Sequence, residues 1–113
     1  MFTRQVVMQL RPDSAADFAR IMENEVSPAL RGQRGLYHEE TFISPESSEA
    51  IGNSYWATEA EADAYSRAGY KTGIRALSQV IQGTPTVESF VISSSTFHRI
   101  MARRREAHRR DSR

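Results

Sequence analysis

An α+β fold with the element order β-α-β-β-α-β is predicted by three features of the chain. Apolar and polar residues alternate over 2–10, 36–44, 50–56 and 87–93, as half-buried strands require. Between the first two of these runs, and again between the last two, apolar residues recur at three-and-four spacing after a capping residue. The middle two runs are separated only by Pro45-Glu-Ser-Ser-Glu49, a hairpin-length loop. This is the split βαβ, or ferredoxin-like, order, which gives a four-stranded antiparallel sheet with its helices on one face.

Each element has its own justification. The first strand places Phe2, Arg4, Val6, Met8 and Leu10 on one face. Arg11-Pro-Asp-Ser14 stops it and offers Asp13 or Ser14 as the cap of a helix, along which Phe18, Ile21, Met22, Val26, Ala29 and Leu30 form an apolar stripe. Pro28 lacks a backbone donor and is expected to kink that helix or start a fresh turn. Gly32 and Gly35 mark its end, and the second strand, Leu36 to Ser44, is polar in its middle at His38-Glu-Glu40. After the third strand, Ala50 to Trp56, Thr58 caps a helix with Glu59, Glu61 and Asp63 in its first turns, where the helix dipole favours negative charge. Gly69 and Gly73 are expected to break this helical region. Ile74, Leu77, Val80 and Ile81 then give a second short stripe ended by Gly83 and Pro85, and Val87 to Ser93 is the fourth strand.

The 113 residues fit one domain, expected over 1–98, followed by a basic tail over 99–113. The tail holds seven arginines against Glu106 and Asp111, a charge of +5, whereas the body carries eight basic against twelve acidic residues, −4. Such a tail could draw an acidic partner, but it contains no aromatic residue on which a base could stack, so nucleic-acid binding is not favoured. With no cysteine, a disulfide scaffold, a thiolate metal site and a cysteine nucleophile are excluded. There is neither a basic segment leading into a long apolar one nor a membrane-length apolar run, and a cytoplasmic protein is expected.

By alternation, the sheet face away from the helices carries Tyr37, Tyr55, Ile51 and Ile43. A one-residue slip would exchange the faces. Sheet-on-sheet pairing with a second copy is the simplest cover for such a face, so a homodimer is expected.

Three segments resemble the antibiotic biosynthesis monooxygenase-like members of the dimeric α+β barrel superfamily. They are Glu25–Leu36 with its proline-leucine-arginine turn, Ser54–Ala62 with a tryptophan followed by a capped Glu/Ala-rich helix, and Gly83–Glu88. The resemblance covers residues 1–98. It implies a dimeric barrel with a small apolar or aromatic ligand between sheet and helices, and monooxygenation without a cofactor. In quinone-forming relatives an asparagine precedes the tryptophan and a tyrosine follows it; the matching residues here are Gly52 and Ala62, with Asn53 one position off. The histidine of haem-degrading relatives falls at Ser66. With those positions replaced, a non-catalytic dimer that binds or sequesters a small ligand, as in stress-associated proteins, is the alternative.

Residue chemistry supplies the candidate site. Trp56, at the junction of strand and helix, is the expected wall of an apolar pocket, and Tyr65 and Tyr70 are expected beside it. His38, next to carboxylates on the second strand, is the candidate general base, with the Tyr65 hydroxyl as a second proton-handling group. Ordinary packing competes with each of these roles. His38, His98 and His108 lack metal-ligand spacing, so no metal is expected. Gly69-Tyr-Lys-Thr-Gly73 lacks the strand and spacing of a phosphate loop, and no flavin or nicotinamide cofactor is expected.

Overall fold

A computed structural model describes residues 1–94 of the chain. The basic tail, Phe97 and His98 lie outside the described residues.

The strands β1 (Phe2–Leu10), β2 (Leu36–Ile43), β3 (Glu49–Trp56) and β4 (Ile81–Val91) form one antiparallel sheet in the order β2-β3-β1-β4. The helices α1 (Ala15–Ile21), α2 (Ser27–Arg31), α3 (Glu59–Arg67) and α4 (Gly69–Ala76) cover one face of it. The predicted ferredoxin-like order is therefore what the chain adopts.

On the covered face β1 buries Phe2, Met8 and Leu10, with Val6 packed beside them. Two apolar clusters result. One joins Met8, Leu10, Phe18, Val26, Ala50, Leu77, Val80 and Ile81; the other joins Phe2, Leu30, Trp56 and Ala62. Arg4 also lies on this face. Its guanidinium pins α3 to the sheet by donating to the Ala62 carbonyl (3.1 Å), Asp63 Oδ1 (2.8 Å), the Ser66 hydroxyl and, from Nε, Ser89 Oγ (3.1 Å). An arginine largely withdrawn from solvent is tolerated here because its donors are used.

Between α1 and α2 the chain passes through a π-helical segment, Met22–Val26. The apolar residues Phe18, Met22, Val26 and Leu30 recur strictly every four, which in an α-helix rotates each about 40° past the last. A wider turn with i→i+5 bonding absorbs that drift and keeps all four toward the sheet. Ala29, expected on the stripe, is exposed instead. Pro28 lies in the first turn of α2, where its missing N–H is not needed.

Three expectations about the elements are corrected. Gly73 does not break the second helical region: the break is at Ala68 (φ −136°, ψ −69°), and α4 runs through Gly73. Ile81 begins β4 rather than ending a helix, so the strand starts six residues earlier than Val87. Gly83 and Pro85 are not stops. They sit in a bulge between the Val7–Thr86 and Gln9–Gln82 pairs, where Gly83 takes φ +75° and Pro85 has no ladder partner to miss its N–H. The third correction concerns β2. The register against β3 shifts between Leu36 and His38, so Tyr37 is the extra residue of a bulge. From there His38, Glu40 and Phe42 pair with Tyr55, Asn53 and Ile51 on the open face, and Glu39, Thr41 and Ile43 pair with Ser54, Gly52 and Ala50 on the helix face. Ile43, expected on the open face, is therefore on the other side of the sheet. Ile51 and Tyr55 are on the open face as expected, opposite Val7 and Thr3 of β1.

Candidate functional site

A cavity open to solvent at its mouth lies between sheet and helices and draws its walls from both apolar clusters. Val6, Met8, Thr41 and Gly52 form the floor; Met22, Val26, Leu30, Ile74 and Leu77 form the roof. The hollow has a local cause. A Cβ at Gly52 would stand 3.9 Å from Met8 Cε and 4.0 Å from Thr41 Oγ1, so a side chain there would fill space that the glycine leaves empty. The π-helical turn contributes Met22 and Val26 opposite, at the kind of local irregularity that often accompanies a functional site.

Tyr65 and Tyr70 enter from α3 and α4 on either side of the break at Ala68. The Tyr65 ring passes against Gly69, where a Cβ would sit 2.6 Å from Tyr65 Cε1, so a glycine is required for the ring to hold this position. Burial raises the Tyr65 pKa above the usual phenol value, with Tyr70 and the charge of Glu39 adding to the shift; burial also raises that of Tyr70. Both phenols are therefore hydrogen-bond donors at neutral pH.

Glu39, on the helix face of β2, is a lining residue that sequence reasoning missed. Its side chain is 13% exposed, with Oε1 3.4 Å from Arg31 Nε and Oε2 accepting from the buried Ser27 hydroxyl at 3.4 Å. The cavity and the adjoining groove along α1 and β2 meet at Glu39, Thr41 and Met22. The signal that could have found it was alternation on β2, had the bulge at Tyr37 been visible.

The other expected residues divide. Tyr65 and Tyr70 line the cavity together. Trp56 does not reach it: it is fully buried with Phe2, Leu30 and Ala62, and its indole N–H donates to Ser54 Oγ at 2.8 Å. Its ring backs that of Tyr65 at a centroid distance of 5.5 Å, so it supports the wall from behind. His38 points to the opposite face of the sheet. There its Nε2 lies 3.3 Å from Glu40 Oε2, and Glu40 Oε1 accepts from the Tyr55 hydroxyl at 2.8 Å. Partial burial and the hydrogen-bonded Glu40 push the Tyr55 pKa up to about 12. His38 and Tyr65 are consequently not brought to one site within the chain.

Comparison with solved structures fixes the architecture. SnoaB, a cofactor-independent oxygenase from Streptomyces nogalater, superposes with a TM-score of 0.68 at 12% identity, covering 84% of this chain and 95% of its own. A structure described as an antibiotic biosynthesis monooxygenase gives 0.68 at 10% identity over 83% and 100% of the two chains. The fold is that of the antibiotic biosynthesis monooxygenase-like proteins. The same fold relates the chain to NE2512, a protein of unknown function from Nitrosomonas europaea, with a TM-score of 0.71 at 14% identity over 84% and 91%. Identities this low carry the architecture and not the reaction. No family model matches the sequence, and no curated protein matches it.

Gly52, Ala62 and Ser66, where the sequence resemblance expects reactive side chains, have distinct uses in the structure. Gly52 opens the cavity floor, Ala62 packs under Trp56, and the Ser66 hydroxyl binds Arg4. No helix among the described residues is long and apolar enough to cross a membrane.

Proposed function

We propose that the cavity binds a small aromatic or polycyclic ligand and that the protein is an oxygenase of the cofactor-independent kind, working as a homodimer. The observation that carries this reading is an apolar cavity whose walls also bear phenol donors, Tyr65 and Tyr70. Apolar walls with a few convergent polar groups are what a small-molecule site requires. The oxygenase SnoaB has the same fold.

The chemistry follows from what such a cavity can do. An electron-rich hydroxylated aromatic that loses a proton becomes a reductant able to react with dioxygen directly. For an anthrone-type methylene, CH2 and O2 become C=O and H2O, with the substrate oxidised and dioxygen reduced, and no further oxidant is needed. Tyr65 would donate to the ring oxygen on which charge develops, and the apolar walls would strengthen that bond by excluding water. A second reading, binding without turnover, is favoured by the replacement of the relatives' reactive positions with Gly52, Ala62 and Ser66.

Oxygen uptake with anthrone-type phenols separates the two. The oxygenase reading expects one O2 consumed per quinone formed, and a fall of about 10²-fold in rate for Tyr65→Phe. Saturable binding with no oxygen uptake would identify a ligand-binding protein instead.

A further inference from the structure

Glu39 has acceptor capacity to spare. A carboxylate offers about four lone-pair sites. Among the described residues Glu39 has two partners, Ser27 Oγ and Arg31 Nε, each at 3.4 Å. Both are longer than the usual 2.7–3.2 Å of a protein N–H···O bond, and the Arg31 side chain is itself 65% exposed, so solvent weakens its pull. Glu39 is nearly buried, and it is one of the residues that line the cavity with Tyr65 and Tyr70 at the point where the adjoining groove meets it. The phenols at Tyr65 and Tyr70 are kept protonated, so neither competes with Glu39 as a base.

We propose that Glu39 is the ligand-contacting base of this cavity, accepting the hydroxyl proton of an uncharged aromatic alcohol, with Ser27 and Arg31 positioning its carboxylate. This rests on the reading of the cavity as an aromatic-ligand site and adds the group that handles the proton. The ligand O–H bond breaks, an Oε–H bond forms, and the electron pair stays on the ligand oxygen; no oxidant takes part in this step. The carboxylate also sets specificity, because a ligand bearing its own carboxylate at that end would be repelled.

The test uses 2-naphthol, whose hydroxyl becomes a strong acid in the excited state and whose neutral and anionic forms emit at different wavelengths. The full chain is held in excess over the probe, in a buffer without carboxylate or phosphate. The wild-type complex is expected to show naphtholate emission. Glu39→Gln is expected to keep binding within about fivefold and to switch the bound probe to neutral emission. Glu39→Asp, which withdraws the charge by one methylene, is expected to give an intermediate ratio and guards against misfolding of the amide variant. Naphtholate emission that persists in Glu39→Gln, or neutral emission from the wild type, overturns the role of Glu39 while leaving the cavity intact. Gly52→Leu, which fills the floor, is expected to abolish binding. Undiminished binding by that variant, or no binding by the wild type, overturns the cavity reading and the base with it.

Discussion

Trp56 closes the end of β3 so completely that none of its surface meets solvent, and its single polar atom is spent on Ser54. Removing it opens a large void under Phe2, Leu30 and Ala62 and takes away the surface on which the Tyr65 ring rests. Trp56→Ala is therefore expected to cost about 3–5 kcal/mol in urea unfolding, an effect on the fold before any effect on the ligand. An unfolding free energy within about 1 kcal/mol of wild type would show that the tryptophan is not the packing residue described. The sequence pointed to this residue because a large aromatic at a strand–helix junction is conspicuous, but composition cannot say which side of a ring faces a hollow. Glu39 shows the converse. Three polar residues in a row on β2 look alike in the sequence, and the extra residue at Tyr37 decides that Glu39, not His38, faces the helices. A slip of one residue exchanges the whole set of side chains between faces, which is why the tyrosines were legible and the carboxylate was not.

Among the elements, α3 was the most legible because its start is written locally. Thr58 accepts from the Glu61 N–H at 3.2 Å and its hydroxyl donates to the Glu61 carboxylate at 3.0 Å, an arrangement spelled out by the four residues Thr58 to Glu61. The beginning of β4 was less so. A glycine and a proline two residues apart read as a stop, yet on an edge strand a bulge accommodates both. The π-helical turn was hidden for a related reason: spacing of every four residues is compatible with an α-helix until the drift across several turns is added up. Because α3 carries both Tyr65 and the groups that bind Arg4, its cap matters to the cavity. Thr58→Ala is expected to cost about 1 kcal/mol, a fall of roughly 4–8 °C in Tm for a domain of this size. A thermal melt unchanged from wild type would place the anchoring of α3 in Arg4 alone.

At the scale of the molecule, the sheet has one covered face and one open one, and the open face is not a polar surface. Phe42 and Phe90 are about half exposed there, with Val7, Ile51 and Tyr55 among them and polar Thr3, Gln5 and Asn53 interspersed. A face of mixed aromatic and polar residues is typical of a surface that another copy covers, and two such sheets placed face to face close into a barrel. The same pairing would enclose the His38–Glu40–Tyr55 group, whose internal hydrogen bonds already satisfy much of its polarity, so that its burial would be tolerable. The chain is therefore expected to have the mass of two copies in light scattering at micromolar concentration. Phe42→Glu combined with Phe90→Glu, both outside the two core clusters, is expected to halve that mass while leaving the circular dichroism spectrum of the fold in place. The charges would face each other across the pairing, where like-charge contact in a desolvated interface costs several kcal/mol. A wild-type chain that scatters as a single copy would remove the homodimer, and a double variant that stays dimeric would move the interface to an edge strand, β2 or β4.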